Sequence, residues 1–187
     1  MTGCGSKTGV EKAAPRHNYD LFTVSAVTED DYSKFSQDIL MRYNLVQAFQ
    51  DDPPEVLTFL HHQAEKDDQR NLLFALAELT YLEGMRTRKT RTAPPRSYFF
   101  ASVLYAYFYL FGEEGVNPPD PFDRRFRMAC DLYNSALGEA LADDDSNLYV
   151  APGKVRLPVG QFRYVVDTDN LPMELDRFDK FIATDQL

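Results

Sequence analysis

The sequence predicts a mainly α-helical domain with a small C-terminal β segment, an α+β chain that reads as a five-helix, repeat-like bundle followed by a β-hairpin. Three observations carry this expectation. Between Tyr32 and Leu141, apolar residues recur at three- and four-residue intervals, the period of one helix face. Asp52-Pro53 and Asp120-Pro121 each set a capping carboxylate directly before a proline, the arrangement that opens a helix. Beyond Asp143, Asp144 and Asp145 the spacing shifts toward two and β-branched residues appear. Residues 1–27 read as a flexible tether, 28–145 as the bundle, and 146–187 as a short β segment packed on the bundle or on further chain.

Thr28 and Asp31 form a three-residue-spaced capping pair, so the first helix is expected to start at Thr28 and to end near Gln50, with Tyr32, Phe35, Ile39, Tyr43 and Val46 on one stripe. The second opens with Asp52 as N-cap, Pro53 at the first helical position and Glu55 reaching back, and places Val56, Leu57, Leu60 and Ala64 on one face. A third, from about Arg70 to Glu83, carries Leu72, Leu73, Leu76, Leu79 and Leu82 and is expected to stop at Gly84 in a left-handed conformation.

The fourth helix is the stretch SYFFASVLYAYFYLFG from Ser97 to Gly112, the longest charge-free run in a chain that is 26% charged. A helix apolar on every face must be buried all round, which predicts the centre of the bundle. Its length of about 24 Å falls short of the roughly 20 residues a bilayer requires. Tyr105, Tyr107 and Tyr109 also bring hydroxyls that need partners.

The fifth helix begins at Asp120, Pro121 and Asp123. Its stripe of Phe126, Ala129, Leu132, Tyr133, Ala136, Leu137, Ala140 and Leu141 is wide enough for two neighbours. Lys154 to Pro158 and Gln161 to Asp167 then read as two strands turning at Val159-Gly160, with Arg177 to Thr184 as a weaker third extended piece. The groups Ala75-Leu79-Tyr81, Ala101-Leu104-Tyr107 and Ala129-Leu132-Tyr133 share a loose pattern whose spacing is too irregular for a tetratricopeptide period, so the likeness is one of packing only.

Charge excludes one class of partner. Twenty Lys and Arg against 29 Asp and Glu leave a net charge of -9, the wrong sign for nucleic acid. The basic run Arg86, Arg88, Lys89, Arg91 and Arg96, closed by Pro94 and Pro95, reads as an exposed inter-helix loop. Of the two cysteines, Cys130 falls on an apolar helix face and reads as a small hydrophobe. Cys4 follows Met1, Thr2 and Gly3, and small residues before such a cysteine resemble the end of a bacterial lipoprotein signal. Cys4 is therefore a lipidation candidate, although no charged or apolar signal region precedes it.

No complete active site is legible, and neither cofactor nor metal is expected. GCGSKTG at Gly3 to Gly9 has the glycines and the Lys-Thr pair of a phosphate loop but lacks its spacing and a preceding strand. His61, His62 and Glu65 share the second helix. Adjacent histidines point about 100° apart, so the two cannot both join Glu65 in holding a metal, and with His17 the one other histidine they read as a surface pair. A serine elbow of the G-x-S-x-G kind is missing, and Glu113, Glu114 and Asp143 to Asp145 read as capping or solvated carboxylates.

Three stretches, LLFALAELTYLEG (Leu72 to Gly84), PFDRRFRMACDLYNSALGEAL (Pro121 to Leu141) and VRLPVGQF (Val155 to Phe162), together resemble the N-terminal helical leader of large bacterial envelope proteins of the α/β-hydrolase, esterase or lipase-like class. The resemblance covers about Asn44 to Leu187 and carries no catalytic residue. It implies a non-catalytic accessory domain, a scaffold or cover for a hydrolase domain in cis, in the bacterial envelope, with a membrane contact through a lipid on Cys4. The alternative is a stand-alone, repeat-like helical lipoprotein that binds a protein or peptide. On the first reading the docking surface is expected on Phe99, Phe100, Tyr107 and Phe111 of the aromatic helix and on the outward face of the hairpin, and on the alternative the partner is expected in the groove between the third, fourth and fifth helices.

Overall fold

The computed structural model describes residues 24–66, 69–112, 119–142 and 152–165. Among them are six helices, α1 (Lys34–Arg42), α2 (Val46–Asp51), α3 (Pro53–Ala64), α4 (Gln69–Thr90), α5 (Pro95–Phe111) and α6 (Arg124–Leu141). Two strands follow, β1 (Gly153–Arg156) and β2 (Gln161–Tyr164). The chain is thus mainly helical with one small antiparallel sheet, as its periodicity predicts.

The first expected helix is two helices, and it starts later than Thr28. Thr28 closes a local turn, its N–H on the Ser25 carbonyl at 3.0 Å and its hydroxyl accepting from the Ser25 N–H at 3.1 Å. The N-cap of α1 is Ser33, whose side chain accepts from the Ser36 N–H. The helix ends in a Schellman turn. Asn44 takes a left-handed φ of 56°, its N–H reaches the Met41 carbonyl at 3.0 Å, and the Leu45 N–H reaches Leu40 at 2.7 Å. Asparagine tolerates that conformation, so the break falls where the local chemistry permits it. Asp52 caps α3 as expected, accepting from the Glu55 N–H at 3.2 Å ahead of Pro53, and Val56, Leu57, Leu60 and Ala64 are buried.

Helix α4 does not stop at Gly84 but continues to Thr90, and Arg91 takes the left-handed residue beyond it with a φ of 54°. Gly84 is a packing glycine instead. A Cβ there would lie 2.7 Å from the ring of buried Phe99, so its missing side chain lets α5 approach. At the other end of the bundle, α6 starts at Arg124, three residues after Pro121, with Asp123 as its cap accepting from the Arg125 N–H at 2.9 Å.

The core lies in two clusters that share α4. Ile39, Leu40, Phe49, Val56, Leu57 and Leu60 bring α1 to α3 onto Leu72, Ala75, Leu76 and Leu79 of α4. On the other side, Phe74, Ala77 and Tyr81 meet Phe99, Phe100, Val103, Ala106 and Tyr109 of α5, which in turn meet Ala129, Leu132, Ala136 and Ala140 of α6. The small side chains on α6 let it pack closely on α5. The centre of the bundle is therefore α4 and not the aromatic helix. Ser102 ties α5 to α4 by donating to the Ala77 carbonyl at 2.7 Å.

The hairpin pairs Gly153 with Tyr164, Lys154 with Arg163, Val155 with Phe162 and Arg156 with Gln161, and Gly160 turns it at a φ of 88°. Phe162 and Tyr164 pack on Phe100 at ring distances of 5.9 and 5.1 Å. Arg96 fixes the junction, donating to the Ala140 carbonyl at 2.7 Å and to the Tyr164 hydroxyl at 3.2 Å. A cation on the closing turn of α6 also complements the helix dipole. The expected tether, including Cys4, and the third extended piece, Arg177 to Thr184, lie outside the described residues, apart from residues 24–27.

Candidate functional site

The aromatic helix divides along its length. Its N-terminal half is interior, with Phe99 and Phe100 1% and 3% exposed, so these two members of the expected docking surface belong to the core. Near the C-terminus, Tyr107, Phe108 and Phe111 are 44%, 45% and 60% exposed. Helical spacing sets Tyr107 and Phe111 one turn apart on one face, and their rings meet at 4.9 Å, with Phe108 edge-on to Tyr107 at 5.8 Å. Aromatic side chains of this size normally bury most of their surface, and three together form a ledge suited to covering by another apolar surface.

The three tyrosines in the C-terminal half of α5 have three different settings. Tyr107 opens to solvent at the ledge. Tyr105 lies half-buried between α3 and α5, its hydroxyl 2.9 Å from His61 Nδ1, and burial pushes its ionisation well above the ordinary tyrosine range. Tyr109 is buried in the core with no hydrogen-bond partner for its hydroxyl among the described residues, and burial pushes its ionisation up to about 12.

Both histidines of α3 lie against the Glu65 carboxylate. His62 Nδ1 is 3.1 Å from one carboxylate oxygen and His61 Nε2 is 3.6 Å from the other. Three- and four-residue separations both place side chains side by side on a helix, and Glu65 caps α3 where its two oxygens can face two rings. The hydrogen bond from His62 holds the Glu65 carboxyl below its usual range. His61 thereby links Glu65 to Tyr105 and joins α3 to α5. Among the described residues no group of three or more His, Cys, Asp or Glu is placed to hold a metal ion. An open depression of 520 Å³ lies beside His62, lined also by Asp52, Pro54, Glu55, Thr58 and Phe59.

A buried carboxylate that the sequence reading did not single out is Glu78 of α4, 0% exposed. It accepts from the Ala26 N–H at 3.2 Å, the Ser33 N–H at 3.0 Å, and the Ser33 and Ser36 hydroxyls at 2.6 Å each. Desolvation nevertheless pushes its carboxyl above the ordinary range. One glutamate within an otherwise apolar helical pattern is the sequence signal that could have found it. Its partners lie in the segment leading into α1 and in the first turn of that helix, so its role is to fasten the start of α1 to α4.

The basic run is mostly helix and internally matched. Arg86, Arg88 and Lys89 lie on the last turns of α4, where Arg86 pairs with Glu83 at 2.9 Å, Arg88 with Glu139 of α6, and Lys89 with Asp30 at 2.6 Å. Of the five expected loop cations Arg91 alone lies outside a helix, since Arg96 stands in the first turn of α5. Cys130 is a free, half-buried thiol packed against the core, and burial raises its ionisation. Among the described residues, no helix is long and apolar enough to cross a membrane. No family model, curated protein or solved structure matches the chain.

Proposed function

We propose that this chain is a non-catalytic helical docking domain, and that the Tyr107-Phe108-Phe111 ledge at the end of α5 is the surface it presents. The observation that carries this reading is the exposure of three neighbouring aromatic rings at one end of a helix whose other end is core. The buried and half-buried polar groups Glu78 and His61 are occupied in ways that suit a scaffold. Glu78 fastens the segment before α1, and His61 bridges α3 and α5. The resemblance of Leu72 to Gly84, Pro121 to Leu141 and Val155 to Phe162 to hydrolase leader regions suggests the occupant, the catalytic domain of an envelope-associated α/β-hydrolase of the esterase or lipase kind. A lipid on Cys4 would hold such an assembly at a membrane.

The test starts with the reading frames around the gene. A neighbouring or continuous frame that encodes a serine-elbow hydrolase domain supplies the partner, to be mixed with the full chain and followed by sedimentation. A stable complex is expected, weakened at least about tenfold by the Tyr107→Ser/Phe111→Ser double variant, in line with the loss of central aromatic anchors. Binding unchanged in that folded variant, or no hydrolase encoded nearby, would sink the reading and leave the stand-alone peptide-binding lipoprotein as the better account.

A further inference from the structure

We propose that the outer face of the β1–β2 hairpin binds a short acidic segment of a partner protein. Strand alternation sorts the hairpin into two faces. Val155, Phe162 and Tyr164 pack against the core cluster, whereas Lys154, Arg156, Gln161 and Arg163 are exposed. The register sets Lys154 directly across from Arg163 and Arg156 across from Gln161. Lys154 and Arg156 lie two residues apart on one strand, about 7 Å. Three cations therefore share one small face, and two of them are directly opposed.

Folding alone gives no reason for that arrangement. Like charges facing each other across antiparallel strands destabilise the pair, and a two-stranded hairpin has little stability to lose. Among the described residues no carboxylate pairs with Lys154, Arg156 or Arg163, in contrast to Arg86, Arg88 and Lys89 of α4, each of which has its own acid. The contrast is sharper because the chain has 29 acidic residues against 20 basic ones. An anionic ligand on this face removes the repulsion and supplies the missing counter-charge.

The same net charge selects the kind of anion. A bilayer of anionic lipid or a nucleic acid presents an extended negative field that a chain of net charge -9 opposes. A segment of a few acidic residues meets only the local patch. In extended conformation its alternate carboxylates repeat at about 7 Å, matching Lys154 and Arg156, while Arg163 and Gln161 on the neighbouring strand offer further N–H donors to them. The hairpin's opposite face packs through Phe162 and Tyr164 on Phe100, in the N-terminal half of α5, and the proposal does not rest on the docking reading above.

The experiment titrates the full chain into a fluorescent peptide of six consecutive glutamates and reads anisotropy, with the wild type beside Arg163→Gln and the Arg156→Glu/Arg163→Glu double variant. Expected are saturable binding by the wild type, several-fold weakening in Arg163→Gln, loss of at least tenfold in the double variant, and weakening as salt rises. Thermal melting is a separate readout. Arg163→Glu places an acid opposite Lys154 and should raise the melting temperature by about 1–3 °C while it abolishes peptide binding. Peptide binding unchanged in the folded double variant, or no binding by the wild type at low salt, overturns the proposal. So does binding to phosphatidylglycerol vesicles that is lost in the variant while the peptide is ignored.

Discussion

Glu78 and Tyr109 are both buried, and their polar atoms are treated in opposite ways. The Glu78 carboxylate has four donors, and each would be left unpaired by Glu78→Ala, which should cost about 3–5 kcal/mol. Its pH dependence follows from the direction of its shift. The folded-state ionisation lies above the unfolded one because burial penalises the charge, so the folded protein holds the extra proton between the two. Its contribution is complete at acid pH and declines as pH rises through the folded value. Denaturant unfolding of wild type and Glu78→Gln at a series of pH values above the ordinary carboxylate range should show the wild type losing ground to the variant as pH increases, and a gain would contradict the assigned cause. Tyr109 is the reverse case, a hydroxyl without a partner among the described residues. Tyr109→Phe keeps the ring contact with Phe74 at 5.5 Å and removes the orphan group, so it should stabilise by about 1 kcal/mol, read as a higher urea midpoint. Neither role was legible in sequence, since both depend on what faces the residue from another helix. The exposed rings of Tyr107 and Phe111 were legible as candidates, but not their separation from Phe99 and Phe100.

Elements that carry their own punctuation are found where the sequence places them. Asp52 and Pro53 open α3 with local chemistry alone, and the charge-free run from Ser97 lies within a helix from Pro95 to Phe111. Where two signals compete, packing chooses. The start expected at Thr28-Asp31 gives way to Ser33, whose N–H and hydroxyl also meet Glu78. Asn44 is a stop inside the first expected helix, hidden in the sequence by the apolar stripe that continues across it to Val46. Gly84 misled in the other direction, a glycine at the end of a leucine stripe that serves close contact and not termination. Gly84→Ala tests that role. It improves helix propensity by about 1 kcal/mol, but its Cβ must displace the Phe99 ring at 2.7 Å, so a net loss of about 1 kcal/mol is expected in chemical unfolding. A stabilised variant would return Gly84 to an ordinary helical site.

The two core clusters make α4 the common wall of the bundle, with α1, α2 and α3 on one side and α5, α6 and the hairpin on the other. Because one helix serves both, they should melt together. Leu57→Ala in the first cluster and Leu132→Ala in the second remove fully buried side chains and should each cost about 2–5 kcal/mol. Far-UV circular dichroism and tyrosine fluorescence should give one coincident transition in both variants, whereas separate transitions would show two independent units. Mainly helical class, a closing hairpin, the Asp52 cap of α3 and a wide α6 stripe follow from the amino-acid order, because period, proline and capping carboxylates act within a few residues. The sharing of α4 by two cores, the clasp at Glu78, the Gly84 contact, the His61–Tyr105 bridge and the division of α5 into core and ledge come from residues distant in the chain. Those outcomes depend on which surfaces meet, and local periodicity does not encode the partner across the interface.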